Sequence, residues 1–218
     1  VEFLTETKGR LAAVAKGVTR RTSTLGQILQ PTISLYIETR GKSELQTLIN
    51  AERAGKQLTL NADHLYSVLY MNEIIMKLTG PNDPMPPLFE AYSNSLAEMG
   101  KEAPLAPILR NFECKLLSAV GLGLNLRETA DNGERIKSHE RYVYVADRGA
   151  IQYPADLSGL TVSGESLKAL NNETGWAKNT AREARELMRY ILNHHLGGEK
   201  IFSREIYASR FQTYKNRK

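Results

Sequence analysis

Residues Lys8 to Pro31 read KGRLAAVAKGVTRRTSTLGQILQP. No acidic residue falls between Thr7 and Ile37, yet Lys8, Arg10, Lys16, Arg20 and Arg21 all lie there, with apolar Leu11, Val14 and Val18 set among them. A strand from Leu11 to Val18 that leads into an unopposed cationic loop suits phosphate, because Lys and Arg outside salt bridges can neutralise it and displace counterions. A solvated basic loop is the competing reading, and this run alone does not separate the two.

Outward from that stretch the periodicity is close to two. Ile33, Leu35 and Ile37 alternate with Ser34, Tyr36 and Glu38; Gly41, Lys42 and Ser43 supply a turn; Leu45, Thr47, Ile49 and Ala51 resume the alternation. This predicts a hairpin with one buried face. With strands near Val1 to Leu4 and Leu11 to Val18 it makes a small antiparallel β unit, and closure into a barrel is the economical way for so short a sheet to lose its edges. Tyr36 reads first as a residue packing on the pleat and only second as a platform for a base. The chain opens on Val1 and Glu2, already within a strand, which leads us to expect a preceding piece.

After Asn61 the pattern turns helical. Asp63 is the expected cap of a helix with apolar Leu65, Val68, Leu69, Ile75 and Leu78, ended by Gly80 and Pro81. A second helix carries Leu88, Phe89, Tyr92, Leu96 and Met99. A third, from Pro104, carries Leu105, Ile108, Leu109, Phe112, Leu116 and Val120, and the three are expected to pack together. From Leu124 to Pro154 the helical signal is lost, and the turns Asn132-Gly133 and Asp147-Arg148-Gly149 flank a strand at Tyr142 to Val145. Helices resume at Ser163 to Leu170, at Ala177 to Leu196 up to Gly197-Gly198, and after a cap at Ser203.

The 218 residues are 41% hydrophobic and 24% charged, the balance of a globular protein with room for a real core. The net charge of +5 is unevenly spread: Lys200, Arg204, Arg210, Lys215, Arg217 and Lys218 face the single acid Glu205 at the C-terminal end. Basic ends around a more neutral middle favour a polyanion as partner. Cys114 is the only cysteine, which excludes an intrachain disulfide and a thiolate cluster and suits a reducing cytoplasm. No apolar run reaches the ~18 residues of a membrane helix, and the sequon at Asn172 carries no meaning in such a compartment.

Enzyme constellations each lack a part. Gly41-Lys42-Ser43 resembles the end of a P-loop, but Tyr36 stands where the leading glycine is required. His194 and His195, being adjacent on a helix, point about 100° apart and are not expected to share a metal. Gly121-Leu122-Gly123 lacks a third glycine and reads as a helix stop. Cys114 reads as a packing residue. Glu73, Glu113 and Glu205 have no carboxylate partner at local spacing. We therefore expect no catalysis and no cofactor.

Taken in order, GRLAAVAKGVTRRTSTLGQILQP, RGKSELQTLINAE, LYMNEIIMKL, LRNFECKLLSAVGLGLNL, VSGESLKAL and HHLGGEKIFSRE resemble the bacterial recombination mediator family RecO over nearly the whole chain. The resemblance implies an α+β fold: an N-terminal OB-fold barrel at 1–56, here without its first strand, then a helical domain at 57–218 whose insertion at 125–154 is a four-cysteine zinc finger in many members. This insertion has no cysteine; Thr129 stands about where the first would be, so no metal is expected and packing alone must hold it.

Further implications concern function. The family binds single- and double-stranded DNA, anneals complementary strands, binds the C-terminal tail of the single-stranded DNA-binding protein, and acts with RecR to load RecA. A cytoplasmic, nucleoid-associated bacterial protein is implied. By position Arg10, Lys16, Arg20, Arg21, Arg40 and Lys42 would contact DNA, and Arg110 would hold the tail with its guanidinium free at a groove edge. On the residues alone a surface ion pair of Arg110 with Glu113 is preferred. The alternative function is a non-catalytic adaptor whose basic barrel docks an acidic protein.

Overall fold

A computed structural model describes residues 1–18, 23–55, 58–154, 158–172 and 175–215, with side chains as far as residue 209. The chain forms two compact units, Val1–Ala103 with Phe202–Lys218, and Pro104–Ile201.

The first unit holds an antiparallel-rich sheet, the N-terminal half of the expected α+β arrangement. Strands β1 (Glu2–Thr5), β2 (Gly9–Val14), β3 (Leu35–Arg40) and β4 (Leu45–Arg53) lie in the order β1-β2-β4-β3. β1 pairs with β2, and β3 with β4, antiparallel as expected; β2 and β4 run parallel. The reason lies in the connection after β2. It ends at Val14 rather than Val18, and a short helix α1 (Thr24–Ile28), capped by Ser23, follows before β3, so the hairpin presents β4 to β2 in the same direction.

Ala13, Leu48 and Ala51 form the buried centre of this sheet, with Phe3, Leu25, Ile28, Leu29 and Ile37 packed around them. The even alternation expected along β4 is broken by a bulge. Glu38 pairs with Asn50 and Thr39 with Leu48, so Ile49 is the extra residue and the inward phase moves from Ala51 to Leu48. Leu45 and Ile49, expected inside, are 57% and 45% exposed. Gly9 is required where it stands: its φ is +64°, and a Cβ there would come within 1.8 Å of the Asp83 carbonyl oxygen.

Three helices complete the first unit: α2 (Ala62–Leu78), α3 (Pro86–Gly100) and α7 (Phe202–Lys215). α2 packs on α3 and α7. Its cap is Asn61, not Asp63, with the Asn61 Oδ1 accepting from the His64 amide at 3.0 Å. Its buried face is His64, Ser67, Val68, Met71, Ile74 and Ile75, whereas the expected Leu65 and Leu69 are half exposed. The cap of α7 also differs from expectation. Glu73 on α2 accepts from the amides of Phe202 and Ser203, each at 2.8 Å, so a distant side chain satisfies the orphan N–H groups.

The second unit is built on α4 (Leu105–Ala119), α5 (Gly164–Leu170) and α6 (Lys178–His195). α4 packs on α5 and α6 there, whereas the sequence pattern grouped it with the two preceding helices. A three-stranded antiparallel sheet in the order β6-β5-β7 lies within the unit: β5 (Arg141–Val145), β6 (Gly149–Gln152) and β7 (Leu160–Ser163). Packing alone does not hold the insertion, contrary to expectation. Buried Thr129 bonds Asn132 through its hydroxyl, and its Oγ1 accepts from the Glu134 amide at 3.1 Å. The Tyr142 hydroxyl accepts from the Lys137 amide at 2.9 Å. Gly164 lets its chain approach the Lys137 carbonyl, which a Cβ would meet at 2.0 Å.

Candidate nucleic-acid interface

The β3 strand buries Leu35, Ile37 and Thr39 partly and sends Tyr36, Glu38 and Arg40 to solvent, as a period of two requires. Tyr36 is 72% exposed, so the expectation that it packs on the pleat is corrected: its ring stands clear. Arg40 lies opposite Thr47 on β4, and Thr47 lies opposite Val14 on β2, which places Val14, Thr47 and Arg40 in one row across three strands. Lys42 is exposed in the β3–β4 turn beyond one side of that row. Lys16 is exposed in the turn after β2, beyond the other side. Glu38 and Glu52 share the neighbourhood, Glu52 opposite Tyr36, so the outer surface is mixed rather than uniformly basic.

Arg10 has a different position from the one expected. Its side chain is 14% exposed, its Nη1 donates to the Met76 carbonyl at 2.6 Å, and its Nε lies 3.4 Å from Glu2. It ties β2 to α2, and a phosphate would have to compete with those partners. Arg20 and Arg21 lie outside the described residues.

In the second unit Arg110 does not reach the edge of a groove. It is 6% exposed, and its Nη2 donates to the Glu113 Oε1 at 2.5 Å, with Glu113 wholly buried. The ion pair is therefore interior rather than superficial. Leu109, expected to face the core, is only partly buried, because α4 is turned so that Ile108, Phe112 and Leu116 take the centre and Arg110 and Glu113 follow them inside. The neighbouring Cys114 thiol is pushed up to about 12 by burial and then by the Glu113 carboxylate, so it is a poor nucleophile at neutral pH.

Glu183 on α6 organises the end of β7. It accepts from the Ser163 amide at 2.9 Å and from the Ser163 and Ser166 hydroxyls at 2.5 and 2.9 Å, with Arg141 at 3.4 Å. Burial works to raise its carboxyl, but the Ser163 and Ser166 hydrogen bonds and Arg141 together hold it below the ordinary value.

The end of α6 brings the two adjacent histidines together with an acid from a distant turn. The His194 and His195 rings lie 5.2 Å apart edge to face, and His194 Nε2 is 2.7 Å from the Asp147 carboxylate in the β5–β6 turn. One ligand atom from each of the three lies within 4.8 Å of the others. An angle measured round an ideal helix missed this, because side-chain rotamers can bring adjacent rings back together. Asp147 was readable only as a turn residue.

Among the described residues no helix is long and apolar enough to cross a membrane. A family model described as Recombination protein O N terminal matches residues 1–55, and one described as Recombination protein O C terminal matches residues 60–205. The chain belongs to this family. Proteins named DNA repair protein RecO are among its relatives. That of Methylococcus capsulatus is 37% identical over 209 residues, 96% of this chain and 86% of the relative. That of Aromatoleum aromaticum is 34% identical over 207 residues, 94% and 86% of the two chains. That of Halorhodospira halophila is 37% identical over 212 residues, 96% and 89%. Membership agrees with the sheet-then-helices order and with an OB-fold at the N-terminal end.

Proposed function

We propose that this chain is a non-catalytic mediator of DNA repair and recombination that binds single- and double-stranded DNA on the outer surface of its four-stranded sheet. The observation that carries the reading is the exposure of Tyr36 on the same face of β3 as Arg40, with exposed Lys42 in the turn that follows. A cation that tracks the backbone and a ring that takes a base face are the two parts a single-strand surface needs. Lys16 extends the surface and Arg10 serves the fold; Arg20 and Arg21, which lie outside the described residues, enter the proposal through family membership alone. Annealing follows from the cations on this mixed surface: Lys16, Arg40 and Lys42, set beside two strands at once, lower the repulsion between them.

Partners enter this reading through family membership. The chain binds the C-terminal tail of the single-stranded DNA-binding protein and acts with RecR in loading RecA. A tail carboxylate would reach Arg110 only by displacing Glu113, so tail binding there requires local opening of α4.

Affinity for a single-stranded oligonucleotide, measured against salt, tests the proposal. The wild type should show a slope of about −0.7 for each phosphate neutralised, and the triple variant Lys16→Glu, Arg40→Glu, Lys42→Glu should lose slope and affinity together. A flat plot for the wild type would sink it. Unchanged DNA binding in the triple variant favours instead an adaptor that docks an acidic protein on the same surface.

A further inference from the structure

We propose that Asp147, His194 and His195 bind a divalent transition-metal ion of the zinc class at the C-terminal end of α6. Two imidazoles and one carboxylate form a donor set that zinc accepts, with a further position left to water or to another ligand. Zinc bonds of about 2.0–2.1 Å in a tetrahedron put neighbouring donors about 3.3 Å apart. Here one pair is already at 2.7 Å, and all three donors lie within 4.8 Å of one another. Closing the wider gap needs only rotamer adjustment, and the side chains are free to make it: those of His194 and Asp147 are 45% and 64% exposed.

The setting favours a cation twice over. The last turn of α6 presents the negative end of its dipole, and Asp147 contributes a full charge. His195 stands partly buried beside His194, the two rings 5.2 Å apart, so both imidazoles face the same end of the helix. The competing arrangement is a simple His194–Asp147 ion pair, which gives His195 no part. A bound ion would staple the β5–β6 turn to the end of α6, joining two elements of one unit.

Zinc chloride titrated calorimetrically into the tag-free full chain tests the site, with Asp147→Asn, His194→Gln and His195→Gln as variants. Asp147 and His194 are exposed and His195 is partly buried, and melting without metal checks that each variant is folded. The wild type should take up one equivalent, and each variant should bind at least about 10-fold more weakly, the lower end of what the loss of even an outer-shell partner costs. Cobalt should give visible bands without a thiolate charge-transfer band, since Cys114 is not a ligand. The proposal fails if the wild type takes up no zinc, or if two of the three variants bind it as the wild type does; weakening in at least two supports it.

Discussion

Arg110 and Glu113 stand one turn apart on α4 and meet at 2.5 Å, with side chains 7% and 0% exposed. A pair so placed is weak evidence for stability as a unit, because desolvation offsets its attraction, but it is costly to break from one side. Arg110→Ala should destabilise the protein by about 3–5 kcal/mol by leaving a buried carboxylate without this guanidinium, while Arg110→Met with Glu113→Leu should recover most of the loss. Urea unfolding of the three proteins measures both. A single variant as stable as the wild type would remove the pair from the core. Binding of an acidic, Phe-ended peptide to Arg110→Ala therefore has meaning only at a temperature where that variant is folded.

Tyr36 separates stacking from stability. Because its ring is 72% exposed, Tyr36→Ala should leave the melting temperature nearly unchanged. Single-strand affinity should fall by about 1–3 kcal/mol if one base stacks on the ring. Fluorescence anisotropy with a short oligonucleotide decides it, and an unchanged affinity would remove Tyr36 from the interface.

Glu183 predicts an acid dependence. Its carboxyl lies below the ordinary value in the folded chain, so its stabilisation is complete above the unfolded value of about 4.3 and is lost as pH falls through the folded value. Stability measured from pH 6 downward should decline less steeply in Glu183→Gln than in the wild type, from a lower starting level. Parallel curves would show that the Ser163 and Ser166 contacts do not depend on the charge.

Gly9→Ala should destabilise the first unit more than a surface substitution does. The added carbon would have to displace the Asp83 backbone and hold a positive φ as well. Thermal melting with Gly55→Ala as the control tests this, since a Cβ at Gly55 meets nothing within 4 Å.

Much of this could be read before any coordinates. The β3–β4 hairpin and α6 were legible because their periods are clear and Gly41 and Gly197-Gly198 mark their ends. The buried face of α2 was not: Leu65, Leu69 and Met76 are apolar yet exposed, and His64 and Ser67 are polar yet buried, so hydrophobicity does not choose a side. The bulge at Ile49 leaves no mark in the alternation that it interrupts. Arg10 looked available because its partner is a carbonyl 66 residues away. For the candidate interface, Arg40 and Lys42 stand exposed, as their residue types suggest, but exposure decided Tyr36 and burial decided Arg110, and both are tertiary properties.

The Glu73 carboxylate that caps α7 has a consequence in time. During synthesis, Glu73 leaves the ribosome long before its partners, because the entire second unit, Pro104–Ile201, lies between the two parts of the first. At about 5–20 residues per second the 129 residues from Glu73 to Phe202 take roughly 6–26 s. The nascent sheet and α2 must wait that long for their last helix, while the unit made second has its whole sequence available first. A ribosome stalled in that interval would hold a chain whose α2 face awaits cover, and it is there that a chaperone would find exposed apolar surface.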